Sequence, residues 1–95
     1  MTKIEEKSKE VAEILKMLSN ENRLLIICAL VDGPLTVTEI MSYVSTVTQS
    51  SVSQQLSILK AHNILDYQKK GQNVSYYISD DKILKLVEFL KLTFC

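Results

Sequence analysis

Apolar residues recur at a helical period along most of the chain, and this pattern predicts a series of helices. The first helix covers residues 3–18, and its apolar stripe consists of Ile4, Val11, Ile14, Leu15 and Leu18. Asn20 is a suitable N-cap for a second helix, which we expect from Glu21 to about Val31. This second helix is apolar on almost every face, which is typical of a helix at the centre of a domain.

Residues 32–34, Asp-Gly-Pro, stop the second helix, and a capping box starts a third one. In this T-x-x-E box Thr36 and Glu39 can each satisfy a free backbone N–H of the first turn. After a turn, Thr48 caps a fourth helix over residues 49–62, whose inner stripe is Val52, Leu56 and Leu59. Two helices joined by a short turn in this way form a helix-turn-helix unit.

The apolar period then changes to two, which predicts a β-hairpin over residues 64–79 with Gly71 in its loop. Residues 79–81 cap a last helix that is apolar on more than one face. A small domain cannot bury two such faces in its own core, so we expect a homodimer through the first and last helices. The whole chain, residues 1–95, is therefore predicted to be one dimeric winged helix-turn-helix domain, mostly α with a β-hairpin wing.

The outer face of the fourth helix is polar and uncharged. Between Ser45 and Ser57 no residue carries a charge, whereas a merely solvated face would normally carry Lys and Glu. A polar linker would not need the inner apolar stripe that runs through this segment. Gln can pair with adenine through two hydrogen bonds, and Ser or Thr can bond base edges or phosphates. The pattern favours DNA binding by Thr48, Gln49, Ser50, Ser51, Ser53, Gln54, Lys60, Lys69, Lys70 and Gln72.

The charge balance neither supports nor excludes a nucleic-acid partner, because 11 basic residues face 11 acidic ones. Residues 47–79 nevertheless contain three Lys and one Asp, so this segment is locally basic. No stretch approaches the ~18 apolar residues of a membrane span, and the charged start is unlike a secretory signal. We therefore expect a cytoplasmic protein that binds no membrane.

Three segments resemble the ArsR/SmtB family of winged-helix repressors. Residues 18–24, LSNENRL, look like the opening of the family's second helix, and residues 51–56, SVSQQL, resemble its recognition helix. Residues 70–77, KGQNVSYY, resemble its wing. The resemblance covers about residues 15–95 and implies a homodimer with the first and last helices at its interface. It also implies a repressor that binds double-stranded DNA, for which we expect a palindromic operator, and releases it when an inducer binds.

Metal sensors of this family carry Cys pairs on the third helix, or His and acidic ligands on the last one. Residues 36–39 contain no Cys and the last helix contains no His, so we expect neither a metal site nor another cofactor. The positions of Cys28 and Cys95 instead resemble the dithiol branch of the family, which responds to reactive sulfur or oxidants. This resemblance implies that Cys28 and Cys95 are sensor thiols whose bridging releases the operator.

Other functions stay open at this point. Cys28 is also typical of a buried core thiol, and Cys95 of an incidental terminal residue. If the two cysteines are not sensor thiols, the chain would be a metal-responsive or ligand-independent ArsR-type regulator. It could also be a winged-helix protein-interaction module with structural cysteines. An uncharged Ser/Gln face offers a protein partner few anchors, however. A thiol oxidoreductase would need a C-x-x-C motif or a nucleophile–base pair, and since neither is present we expect no enzyme.

Overall fold

The computed structural model describes residues 1–94, which form five helices and a three-stranded antiparallel sheet. The predicted winged helix-turn-helix order is confirmed. Cys95 lies outside the described residues. In chain order the elements are α1 (Lys3–Leu18), α2 (Glu21–Ala29), β1 (Leu35–Thr36), α3 (Val37–Met41), α4 (Gln49–Ala61), β2 (Leu65–Lys70), β3 (Asn73–Ile78) and α5 (Asp81–Phe94).

Side-chain caps fix where the helices begin. The Thr36 side chain accepts a hydrogen bond from the Glu39 backbone N–H at 3.2 Å, and Glu39 Oε1 accepts one from the Thr36 N–H at 2.9 Å. The predicted capping box is therefore confirmed, and it holds a helix of only five residues. A second box joins Thr2 and Glu5 at the start of α1, where hydrogen bonds from the Thr2 backbone and side chain lower the pKa of the Glu5 carboxyl.

Strand β1 was not predicted from the sequence. Leu35 pairs with Tyr76 and Thr36 pairs with Ser75, so the sheet order is β1-β3-β2. Two residues are too few for an alternating pattern to be visible, and the pairing depends on a strand far away in the sequence. The consequence is that the backbone just before α3 is hydrogen-bonded to the hairpin.

The hairpin forms as predicted, with small shifts at its ends. Strands β2 and β3 pair from Leu65 opposite Ile78 to Lys70 opposite Asn73. The loop contains Gly71 at a φ of 61°, a left-handed conformation that Gly adopts without strain.

The core lies where α2, α4 and α5 meet the hairpin and Ile40 of α3. Val52, Leu56 and Leu59, the predicted inner stripe of α4, are fully buried. Helix α2 ends at Ala29 rather than near Val31, and Leu30 caps it with its side chain still in the core. The core cluster also contains other side chains that are fully or almost fully buried: Ile26, Ile27, Leu30, Ile40, Val44, Leu65, Ile83 and Val87.

Large apolar side chains on α1 and α5 are exposed instead of packing into this core. Phe89 and Leu92 of α5 are 62% and 87% exposed, and Leu15 of α1 is 51% exposed. Leu86, in contrast, packs against the core cluster. No helix within residues 1–94 is long and apolar enough to cross a membrane. The apolar surplus that was predicted for the first and last helices is therefore a feature of the folded chain.

Candidate DNA interface and cysteine site

Thr48 sets the start of α4. Its backbone is extended (φ −73°, ψ 156°), and its Oγ1 accepts a hydrogen bond from the Ser51 backbone N–H at 3.1 Å. This bond satisfies one of the N–H groups that a helix leaves unpaired in its first turn. A helix N-terminus also carries the positive end of the helix dipole, which favours a phosphate group nearby. Thr48, a predicted DNA-binding residue, thus has a structural task as well.

The predicted DNA-binding side chains are accessible. Nine of the ten are exposed, and the tenth, Ser51, is partly buried beside the N-cap. Gln49, Ser50, Ser53 and Gln54 lie on the side of α4 away from its buried stripe. These side chains can donate and accept hydrogen bonds, and α4 contains no acidic residue that would repel a phosphate backbone.

Gln55 belongs to the inner part of α4 rather than to this polar face. The Arg23 Nε donates a hydrogen bond to Gln55 Oε1 at 2.8 Å, and Arg23 Nη1 contacts Met17 Sδ at 3.7 Å. The Asn20 side chain in turn accepts from the Arg23 backbone N–H at 3.1 Å. Arg23 therefore joins α1, α2 and α4. The residues around Gln55 contain no pattern that predicts this contact, because its partner lies 32 positions away.

The last turn of α4 ends with a residue in the left-handed conformation. Asn63 has a φ of 60°, and its backbone N–H donates to the Lys60 carbonyl at 3.0 Å. The Ile64 N–H donates to the Leu59 carbonyl at the same distance. These bonds satisfy the last carbonyls of the helix and turn the chain directly into β2.

Lys60 lies between the recognition helix and the wing. Its Nζ is 5.2 Å from the centre of the Tyr67 ring on β2, and the Tyr67 ring is 5.8 Å from that of Tyr76 on β3. An ammonium over a tyrosine face is attracted by the ring electrons. Tyr67 therefore holds an exposed positive charge at the junction of α4 and the hairpin.

The wing ends in exposed polar and basic side chains, namely Lys69, Lys70 and Gln72. Asp66, the one acidic residue of the hairpin, lies at the other end of β2, where its carboxylate accepts from the Tyr67 backbone N–H at 2.8 Å. The tip is therefore positively charged.

Cys28 lies in the last turn of α2, partly buried, and lines a cavity of about 300 Å³. Lys91 of α5 lines the same cavity, and its Nζ is 3.2 Å from Asp32 Oδ2. The second predicted sensor thiol, Cys95, lies outside the described residues, but it follows Lys91 by four positions in the sequence. The other lining residues are Leu25, Ala29, Gly33, Pro34, Leu35 and Tyr43.

His62, the only His of the chain, is the exposed C-cap residue of α4. Within residues 1–94 no group of three His, Cys, Asp or Glu side chains is arranged to hold a metal ion.

Residues 20–67, from the N-cap of α2 into β2, match the family described as "Bacterial regulatory protein, arsR family". The chain is also 33% identical over 92 residues to the Biofilm growth-associated repressor of Agrobacterium fabrum, a match that covers 97% of this chain and 78% of that protein. This chain belongs to the ArsR family. The ArsR-family chain is similarly 32% identical over 95 residues to the transcriptional activator HlyU of Vibrio cholerae, covering 100% and 87% of the two proteins.

Solved structures of similar proteins confirm the fold of this ArsR-family chain. Reduced HlyU from Vibrio cholerae superposes with a TM-score of 0.90 at 32% identity, over 100% of this chain and 99% of that one. The repressor BigR from Xylella fastidiosa gives a TM-score of 0.87 at 33% identity, over 100% and 98%. Because these relatives are transcriptional regulators, the prediction of a regulator rather than an enzyme is confirmed.

Proposed function

We propose that this ArsR-family regulator is a cytoplasmic, homodimeric repressor in which residues 1–95 form one DNA-binding domain. It binds a palindromic double-stranded operator through α4 and the wing, and it leaves that operator when reactive sulfur or another oxidant bridges Cys28 and Cys95. DNA binding is supported by one observation above all: α4, whose N-terminus is capped by Thr48, has an exposed, uncharged polar face.

Base recognition is assigned to the first two turns of α4, since a recognition helix contacts bases mainly with its N-terminal residues. Gln49 and Gln54 can each form the paired hydrogen bonds that select adenine, worth about 1–3 kcal/mol of discrimination. Ser50 and Ser53 can bond base edges or phosphates. Lys60 and the wing residues Lys69 and Lys70 contribute charge, which holds the phosphate backbone without reading the sequence.

The exposed apolar residues of α1 and α5 support the dimer. Association would bury Leu15, Phe89 and Leu92, whose exposure to water is otherwise unfavourable. A two-fold dimer presents two recognition helices, which suits half-sites about one helical turn of DNA apart. The palindromic operator follows from this symmetry.

Repression is the proposed direction because the Agrobacterium and Xylella relatives are named repressors. The name of HlyU, a transcriptional activator, makes activation the alternative that a reporter experiment has to exclude.

The sensing reaction begins at one thiol. A Cys28 thiolate attacks the protonated sulfur of a hydrogen disulfide anion, HS–S⁻, the S–S bond breaks, and sulfide leaves as HS⁻ after a proton is taken up. The Cys95 thiolate then attacks the Cys28 sulfur of the resulting persulfide and expels a second HS⁻. Two thiols are oxidised to a disulfide and give up two protons, and the inorganic disulfide is reduced to two HS⁻ ions with uptake of one of those protons. If both thiols are first persulfidated, the same attack closes a trisulfide and expels one HS⁻.

A bridge would join α2 to the chain beyond α5, and α5 belongs to the proposed dimer interface. The bridged and unbridged proteins would therefore differ in how the two recognition helices are spaced. A differential stability of a few kcal/mol between these geometries is enough to shift the population from operator-bound to free. A similar protein, HlyU from Vibrio cholerae, has been solved in a reduced form, which supports a redox-dependent regulator.

Operator selection from random DNA, followed by a reporter assay, tests this function. We expect the wild-type protein to enrich two inverted half-sites about one turn apart. The enriched sequence should silence a downstream reporter until inorganic polysulfide is added. Enrichment of no sequence, or activation of the reporter by the thiol form, would contradict the proposal.

A further inference from the structure

We propose that Lys91 is the positioning residue that makes Cys28 reactive toward anionic sulfur. This inference rests on the proposed thiol switch and adds to it the group that activates the first thiol. A reacting cysteine has to be present as its thiolate, which a nearby cation stabilises. The residues adjacent to Cys28 in α2 are Ile27 and Ala29, and the cation of that helix, Arg23, is hydrogen-bonded to Gln55 instead.

The cavity beside Cys28 provides the cation from another element. Cys28 and Lys91 line the same space of about 300 Å³, although they lie on α2 and α5. The walls also contain Leu25, Pro34 and Leu35, which are apolar. An apolar wall lowers the local dielectric constant and strengthens the interaction between an ammonium and a thiolate.

Within residues 1–94, three ionisable side chains line this cavity besides that of Cys28. Besides Cys28, its lining contains Asp32, Tyr43 and Lys91, and Lys91 is the one cation among them. Glu88 lines an adjoining cavity, which shares Asp32 and Lys91 with the first one. The carboxylates oppose thiolate formation, and the ammonium favours it.

The ion pair between Lys91 and Asp32 leaves Lys91 available for a second anion. Its Nζ–Oδ2 distance is 3.2 Å, but the Asp32 side chain is 87% exposed while that of Lys91 is 39% exposed. An ion pair with so exposed a carboxylate is weak. The partly covered ammonium can therefore also attract a hydrogen disulfide or polysulfide anion into the cavity.

The test measures alkylation of Cys28 by neutral iodoacetamide as a function of pH in the Cys95→Ser background, where Cys28 is the only cysteine. Because the reagent is neutral, its rate reports the thiolate fraction. We expect Lys91→Gln to lower the rate at pH 7 by about 3- to 10-fold and to move the midpoint of the pH profile upward. Lys91→Arg should restore most of the rate, because the charge is kept.

Asp32→Asn separates this role from a merely structural one. Removing the carboxylate takes away a negative charge beside the thiol and frees Lys91, so the rate should increase. A structural tie between Asp32 and Lys91 would instead make Lys91→Gln and Asp32→Asn change the rate in the same direction, and that result overturns the inference. If Lys91→Gln does not fold, a rate that fails to rise in Asp32→Asn overturns it equally.

Lys85→Gln is the matched control, since Lys85 lies on the same helix in an exposed ion pair with Asp81 at 3.1 Å. Its alkylation rate should equal that of the background protein. Unchanged alkylation in the Lys91 and Asp32 variants, with polysulfide still releasing the wild type, removes the role of Lys91 alone. Release that persists in Cys28→Ser removes the thiol switch itself.

Discussion

Arg23 donates from Nε to Gln55 Oε1 at 2.8 Å, and this bond joins the start of α2 to the middle of the recognition helix. The same guanidinium contacts Met17 Sδ on α1, a helix that we place at the dimer interface. One side chain thus connects the proposed interface helix with the helix that is proposed to read DNA. Hydrogen bonds to a charged group that is partly buried contribute more to stability than exposed ones do.

The first prediction concerns this contact. Arg23→Met removes the donor and leaves Gln55 Oε1 without it, which should lower the free energy of unfolding by about 1–3 kcal/mol in urea titration. Gln55→Ala should have a similar effect, and the double variant should cost less than the sum of both. Gln54→Ala is the control, since that exposed neighbour should change stability by no more than about 0.5 kcal/mol. Additive losses would show that the two residues do not interact in solution.

The second prediction separates base reading from phosphate binding. Gln54→Ala should reduce discrimination between the operator and single-base variants by about 1–3 kcal/mol, because a base contact is lost. Lys69→Ala should weaken binding to all sequences alike and reduce the slope of log K against log salt by about 1. Fluorescence anisotropy at several salt concentrations measures both effects. Unaltered discrimination in Gln54→Ala would place base reading outside this part of α4.

Most features of the fold that could be predicted depend on residues close together in the sequence. The bounds of α1, the Thr36 and Thr48 caps and the left-handed Asn63 are each determined by residues within one turn of the chain. Strand β1 could not be predicted in this way, because two residues have no period and their partners lie on the distant strand β3.

In the candidate site, too, features set by local sequence could be predicted and contacts between distant residues could not. The exposed face of α4 follows directly from its apolar stripe, so its polar residues were found from the sequence. The contacts of Arg23 with Gln55 and of Lys91 with Asp32 join side chains 32 and 59 positions apart. Only the packed arrangement of the helices brings them together, and with them the position of Lys91 beside the Cys28 cavity.

The third prediction concerns the dimer. Phe89→Asp combined with Leu92→Asp places two charges on side chains that are exposed in the single chain, so it should dissociate the dimer without unfolding the domain. Sedimentation velocity at micromolar concentration should show a monomer, and circular dichroism should remain native. Tyr67→Asp is the control, since this residue is 45% exposed on β2, beside Lys60 and Tyr76, and its substitution should leave the dimer intact. A folded dimer in the Phe89/Leu92 variant would place the interface elsewhere.

A substitution at Leu86, on the same helix, should have a different effect from the exposed Phe89 and Leu92 substitutions. Because Leu86 packs against the core cluster, Leu86→Asp should unfold the protein rather than merely dissociate it.

The central claim is that bridging Cys28 and Cys95 releases the operator. Its most direct test follows operator anisotropy and intact mass in one sample while inorganic polysulfide is added to the wild type, Cys28→Ser and Cys95→Ser. We expect all three thiol forms to bind the operator equally. Only the wild type should release it, in step with loss of both thiols and formation of an intramolecular disulfide or polysulfide bridge. Release by either single variant as fast as by the wild type, or a fully bridged wild type that still binds, would contradict the account.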